Sequence, residues 1–433
     1  MRTARGFASD AIFPEKLAGL LARLDPGGGE HLRLAALAAA QSVVRGDVCA
    51  DLRSLSGSVF PDGGVCPPFA EWVEELSKSP VVGRPGDFRP LVIDGAGRLY
   101  LYGYHRRESF VAGEISRKAL FDFPAGRECE LSAALASLLG KSSDSPDLQR
   151  VAALNSALRR FSVISGGPGT GKTYTVARAA ALLLMVYGEN LKMAVCAPTG
   201  KAAGRLGEAL SGAVESLECP EWVKERLPRE VFTIHRLLGM GREGERFRFN
   251  ANNPLPHDVV VVDEASMVDL TLMADLFAAL GRDARVILSG DRDQLSSVEA
   301  GALLGDIASV PEAAAYSPQA ASFIKEAAGD EVNLCSLPSS PLRDSVTILE
   351  KSRRFSSASA IGRAARAILT GGECDEAYRL LGGFFGGSRE FGEILAEKAL
   401  AGYELLLEAS SPVEALSALN SFRVLCAVRK GPR

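Results

Sequence analysis

Short runs of strand character set the rhythm of the middle of the chain: residues 161–164, 193–197, 259–262 and 286–288. The clearest, Val259-Val260-Val261-Val262, does not alternate with polar residues, which marks a strand buried on both faces rather than one. Between these runs the apolar residues fall at helical spacing, as in the alanine- and leucine-rich stretch that reaches about Met185 and the one that begins at Ala202. Strands alternating with helices predict a parallel sheet covered on both sides, an α/β unit spanning residues 146–310. Ligands of such sheets sit at the carboxyl ends of the strands.

The flanking regions read differently. Residues 1–135 form a mostly helical first unit, with helices predicted over 14–24 and 32–44 and a break at Asp25-Pro26-Gly27-Gly28-Gly29. A short helix over 68–76 carries Trp72, and residues 91–94 and 98–102 around Gly95-Ala96-Gly97 read as a hairpin. Tyr100, Tyr102 and Tyr104 alternate along that strand, a pattern that ordinary sheet packing explains better than base stacking. Residues 141–146 form a polar linker, and Ser145-Pro146 starts a helix that runs to 160. Residues 310–342 are loop-like. A second α/β block over 340–433 opens with the strand 346–349, continues through helices at 358–369, 389–407 and 412–419, and ends on a strand over 422–428.

Composition narrows the class without naming a function. The 433 residues are too many for one ordinary core, and 47% hydrophobic with 24% charged residues is the balance of a soluble globular protein. No apolar run approaches the ~18 residues of a membrane span, and no secretory leader follows Met1. Eight cysteines, at 49, 66, 129, 196, 219, 335, 374 and 426, include no C-x-x-C pair and read as reduced thiols of a cytoplasmic protein. A net charge of −4 exerts no general pull on nucleic acid, so any such contact must come from a local groove.

The chemistry concentrates after the first strand of the sheet. Gly166-Gly167-Pro168-Gly169-Thr170-Gly171-Lys172-Thr173 is G-x-x-x-x-G-K-[ST] with a strand before it and a helix after it. Glycines let successive N–H groups turn inward around a phosphate chain, and the helix N-terminus adds a positive dipole. Lys172 suits the β- and γ-phosphates, and the Thr173 hydroxyl suits magnesium. The four valines then deliver Asp263 and Glu264. Asp263 fits the magnesium shell, and Glu264 can orient and deprotonate an attacking water. Gln294 follows the next strand and could touch both the γ-phosphate and that water. Arg354, in Lys351-Ser352-Arg353-Arg354-Phe355, is either an arginine finger or part of a basic surface loop.

These motifs occur in the order of a superfamily 1 helicase. With Ala197-Pro198-Thr199-Gly200-Lys201, Thr233-Ile234-His235, Gly290-Asp291-Arg292-Asp293-Gln294 and Ser352-Arg353-Arg354-Phe355, the chain resembles the RecD family, the α subunits of exodeoxyribonuclease V (the RecBCD complex). Gly46-Asp47-Val48-Cys49 and the stretch 98–102 extend the likeness into the first unit. The resemblance implies that Gln149 reads adenine, that Pro198, Thr199, Lys201, Thr233 and His235 face single-stranded DNA, and that Arg354 is the finger. It implies a RecA-like ATPase domain followed by part of a second one, with ATP and Mg²⁺ as cofactors. Its partners would be DNA ends and RecB- and RecC-like subunits, met through residues 1–135. Its activity would be 5′→3′ translocation on single-stranded DNA coupled to unwinding. The stretch 240–256 is either a strand-splitting pin or a connecting hairpin. The family's late threonine-rich motif and second γ-phosphate arginine do not occur in residues 1–433, which reads as a C-terminally truncated chain with doubtful unwinding. An ATP-hydrolysing helicase subunit and a non-catalytic nucleotide-binding assembly subunit both remain open.

Overall fold

The structure, a computed structural model, describes residues 12–60, 63–120, 126–139, 146–240, 247–295, 297, 299–310, 314–334, 342–353, 359–369 and 388–424. The chain divides into two compact units, Met1–Arg354 and Phe355–Arg433.

The first unit contains two sheets. Near the N-terminus, β1 (Cys49–Asp51), β2 (Val82–Gly83), β3 (Leu91–Ile93) and β4 (Arg98–Leu101) form a small sheet in the order β1-β4-β3-β2. The expected hairpin is there, with Val92 opposite Tyr100 in antiparallel register. Helices Ile12–Leu24, Gly29–Val44 and Phe69–Lys78 close over this sheet. Their shared core is built on Trp72, whose indole N–H donates to the His31 carbonyl at 3.0 Å. The aromatic alternation past Tyr100 does not survive, because Tyr102 and Tyr104 lie in the helix Tyr102–Lys118.

The larger sheet consists of β5 (Phe161–Gly166), β6 (Met193–Ala197), β7 (Val231–Thr233), β8 (Val259–Val262), β9 (Arg285–Gly290) and β10 (Val346–Leu349). Its order is β10-β5-β9-β8-β6-β7, and every neighbouring pair is parallel. The four valines of β8 show why the apolar run is unbroken. Val259 and Val261 join a core on one face with helices Leu148–Leu158 and Lys172–Tyr187, while Val260 and Val262 join a core on the other with Leu270–Ala279. This is the doubly covered α/β fold that the sequence predicts.

Three boundaries differ from the sequence expectation. The N-terminal core closes at Leu101, whereas Tyr102–Lys118 and Glu128–Leu139 pack on opposite faces of the large sheet. Their amphipathic spacing did not say which sheet they would cover. The strand expected to open the second unit is instead the edge of the first sheet, with Val346 opposite Val163 and Leu349 opposite Gly166. A helix, Pro318–Ala328, stands in the stretch read as loop; Ser317 caps it by accepting from the Ala320 N–H. In the second unit the described residues form helices Ala360–Leu369, Ser388–Leu407 and Pro412–Ser421. The linker over 141–145 and most of the last predicted strand lie outside the described residues. Among the described residues no helix is long and apolar enough to cross a membrane.

The edge strand β10 is fastened by a buried ion pair. Arg159 Nη2 stands 3.0 Å from Asp344 Oδ2, with the two side chains 4% and 8% exposed. Arg159 Nε donates to the Asp344 carbonyl, and the Ser317 N–H and hydroxyl donate to its carboxylate. Asp344 also adopts a left-handed backbone, φ +69°. Asp344→Ala is therefore expected to strand a buried guanidinium and cost about 3–5 kcal/mol in a urea unfolding titration. Asp344→Asn also removes the charge that Arg159 faces and keeps one acceptor oxygen for Ser317, so it should cost nearly as much; a loss under about 1 kcal/mol in both variants would show that the pair is not what holds this edge.

Candidate nucleotide site

A parallel sheet releases all its strands at one edge, and here that edge gathers the sequence-predicted groups. β5 ends at Gly166, and the chain turns through Gly167, Pro168, Gly169, Thr170 and Gly171 into the helix Lys172–Tyr187. Gly169 (φ +77°) and Gly171 (φ +87°) take left-handed backbones that other residues resist. A Cβ on Gly166 would come within 2.8 Å of the Leu349 carbonyl oxygen, so the close approach of β10 also requires glycine there. Thr170 Oγ1 donates to the Gly167 carbonyl at 2.9 Å and closes the loop on itself. Thr173 lies in the first turn of the helix, half-buried.

Lys172 folds back across this loop, donating from Nζ to the carbonyls of Gly166 (2.5 Å) and Gly167 (3.1 Å). Burial pushes its pKa down, and the charges of Asp291, Asp263 and Glu264 oppose that shift, Asp291 most strongly. Three carboxylates from the ends of β8 and β9 thus face the lysine that follows β5. Asp263 continues the β6–β8 ladder by donating its N–H to the Cys196 carbonyl at 2.9 Å. Burial pushes its carboxyl upward, against Ser289, the Glu264 N–H and Lys172. The Ser289 hydroxyl is buried beside it with no other partner. Glu264 is raised by burial and then by Asp263, with Arg205 and Lys172 pulling the other way. It stands at φ +50°, a left-handed backbone rare outside glycine and typical of strained functional positions.

Gln294 is exposed and tied to the same edge, since its Oε1 accepts from Ser266 Oγ at 3.3 Å and its N–H donates to the Asp291 carbonyl at 3.2 Å. Gln149 is buried beneath the loop, its Nε2 donating to the Thr170 carbonyl at 3.0 Å. Arg354 lies outside the described residues. Its neighbours reach the loop: the Arg353 N–H donates to the Gly169 carbonyl at 2.8 Å, and Ser352 Oγ to that of Pro168 at 3.1 Å.

The residues expected to face DNA emerge from the far strands of the same edge. Pro198 and Thr199 follow β6, with Lys201 exposed in the next turn. Thr199 Oγ1 accepts from the Ala202 N–H and caps that helix, as Thr233 Oγ1 does for the Arg236 N–H at the end of β7. Both hydroxyls therefore have a structural task whatever else they touch. The His235 ring stands 6.0 Å from that of Phe247. The stretch 247–256 turns tightly at Asn250 and Asn253, while 241–246 lies outside the described residues.

Sequence reasoning passed over Asp291, Arg178 and Ser352. Asp291 and Ser352 stand within the quoted motifs without an assigned role there, and Arg178 acts through Gln149, 29 residues away in sequence. Among the described residues no group of three or more His, Cys, Asp or Glu converges as a protein-only metal cage. A hydroxyl and a carboxylate flanked by a buried serine, beside a phosphate loop, suit a magnesium ion that keeps waters and binds with nucleotide.

Comparison with known proteins agrees with this geometry. The family model described as "AAA domain" matches residues 149–300, and that of the "RecBCD enzyme subunit RecD, N-terminal domain" matches residues 15–100. RecBCD enzyme subunit RecD of Mycolicibacterium smegmatis is 35% identical over 419 residues, 93% of this chain and 66% of its own length. That of Haemophilus influenzae is 41% identical over 229 residues, 52% of this chain and 36% of its own. That of Mycobacterium tuberculosis is 38% identical over 304 residues, covering 69% and 50%. The chain thus spans between 36% and 66% of the length of these relatives. With a nucleotide cradle inside the AAA match and a separate N-terminal core inside the other, the chain belongs to the RecD family.

Proposed function

We propose that this chain is the ATP-hydrolysing motor portion of a RecD-type 5′→3′ DNA helicase, acting in the cytoplasm on DNA ends beside RecB- and RecC-like subunits in double-strand-break repair and recombination. The observation that carries the reading is Lys172 lying in the field of Asp291, Asp263 and Glu264 at the mouth of the glycine loop. Family membership supports the partners, and the AAA match supports ATP.

Thr173 and Asp263 would hold magnesium, which when bound neutralises charge on the phosphates. Lys172 exchanges the Gly166 and Gly167 carbonyls for the β- and γ-phosphate oxygens, a stronger charge-assisted contact. Glu264, its proton affinity raised by burial and by Asp263, takes a proton from the attacking water. Gln294, held by Ser266, orients that water and registers the loss of the γ-phosphate. Pro198, Thr199, Lys201, Thr233 and His235 line the outer part of the edge, where a single strand would run, and Arg354 completes the γ-phosphate contacts.

Single-stranded DNA is expected to raise the ATPase rate of the wild-type chain, and Lys172→Ala to abolish turnover with and without DNA; a rate indifferent to DNA would count against the motor. Glu264→Gln should retain nucleotide binding while lowering turnover by about 10²–10⁴-fold, the usual contribution of a general base. Undiminished turnover in that variant would remove Glu264 from the mechanism. Binding with negligible wild-type turnover would instead favour an assembly subunit. Because the Glu264 pKa is raised, the base is lost as pH falls through a value above the ordinary carboxylate range near 4.3. The acidic limb of a kcat–pH profile should accordingly lie above that range.

A further inference from the structure

We infer that Arg178 fixes the orientation of the Gln149 amide and so sets the base preference of the nucleotide site. The inference rests on the reading of Gly166–Thr173 as a nucleotide cradle and of Gln149 as its base contact, the role that the family resemblance implies.

Gln149 is 5% exposed and makes two side-chain hydrogen bonds of opposite kind. Its Nε2 donates to the Thr170 carbonyl at 3.0 Å, and its Oε1 accepts from Arg178 Nη1 at 3.2 Å. A carbonyl only accepts and a guanidinium only donates. Turning the amide over would set oxygen against the Thr170 oxygen and N–H against the Arg178 N–H, so one orientation survives. The Gly171 backbone presses on the same group, for a Cβ there would come within 2.5 Å of Nε2.

The amide then has one uncommitted N–H and one uncommitted carbonyl lone pair. Adenine offers an acceptor at N7 and a donor at N6, which is the complement. Guanine offers acceptors at both N7 and O6, so the carbonyl would meet another acceptor.

Arg178 is itself held for this task. It lies one turn beyond Tyr174 on the helix Lys172–Tyr187, with its guanidinium carbon 4.0 Å from the Tyr174 ring centroid. Its Nη2 donates to the Tyr174 hydroxyl at 3.2 Å. Among the described residues it has no carboxylate ion-pair partner, and its Nε is buried without an acceptor. Burial lowers its pKa; Tyr174 and the charge of Asp147 oppose that shift, and the charge of Arg353 adds slightly to it. A donor left unmatched next to Gln149 points to a ligand.

The test compares magnesium-ADP and magnesium-GDP binding by titration calorimetry on the 433-residue chain. Wild type should prefer ADP. Arg178→Met should weaken ADP by about tenfold, the loss of one hydrogen bond to a charged group, while GDP stays within about twofold. Arg178→Lys, which keeps the charge and loses the planar fork, should recover only part of the preference. Lys172→Ala should weaken both nucleotides together. Equal weakening of ADP and GDP by Arg178→Met would reduce Arg178 to a general electrostatic or packing contact and overturn the inference. If Arg178→Met fails to fold, Arg178→Lys carries the same comparison, and an unchanged ADP/GDP ratio there overturns it. Wild type binding both nucleotides equally would sink the base preference alone. Wild type binding neither would sink the cradle as well.

Discussion

Because all six strands of the large sheet run in one direction, their carboxyl ends share one edge, and helices bury both faces. Polar chemistry has nowhere else to collect. Gly166, Gly290, Val262 and Ala197 end strands there, each followed by a residue that the site uses or is expected to use, and Thr233, itself one of the expected residues, ends a fifth. Parallel pairing aligns these groups without any long-range signal in the sequence: registry between β5, β9 and β8 alone brings the glycine loop, Asp291 and Asp263 to one rim. The fold makes the site compact even though its residues are spread along the chain.

The same edge concentrates electrostatic cost. A lysine drawn partly out of water loses hydration worth several kcal/mol, which two loop carbonyls and three facing carboxylates only partly replace. The carboxylates are themselves penalised, since burial raises both Asp263 and Glu264. Glu264 adds a left-handed backbone of the kind that costs of order 1–3 kcal/mol. These terms do not cancel within the protein. Such a cost fits groups preorganised for the nucleotide that the proposed function places there, with the rest of the doubly covered core offsetting it.

Local signals carried much of this in the sequence. The glycine loop could be read because its requirement is local: left-handed turns at Gly169 and Gly171 and a helix that starts at Lys172. The valine run was legible because burial on both faces removes alternation. By contrast, Val346–Leu349 looks the same whether it opens a new sheet or closes the old one; only its pairing with β5 decides. Helix Tyr102–Lys118 likewise shows an apolar stripe without showing its target, although buried Lys118, donating to the Ala284 carbonyl at 2.7 Å, ties it to the large sheet. The helix Pro318–Ala328 carries its own signals, a serine cap, a proline at its first turn and good helix formers, but the Ser and Pro clusters around it read as loop. Arg178 was invisible because its meaning lies in Gln149, and nothing in their spacing joins them.

The exit of β10 adds a constraint that neither motif nor composition suggests. Leu349 leaves no room for a side chain at Gly166, and the next residues bind the loop directly through Ser352 to Pro168 and Arg353 to Gly169. The phosphate cradle is therefore bonded to the last segment of the first unit. Each of these two bonds is worth about 0.5–1.5 kcal/mol net. A loop movement that broke both would shift the free energy of that segment by the 1–3 kcal/mol typical of coupling between sites. Positions 352 and 353 immediately precede Arg354, the expected finger. The loop carbonyls are thus linked directly to the main chain at 352 and 353, with no longer path through the core.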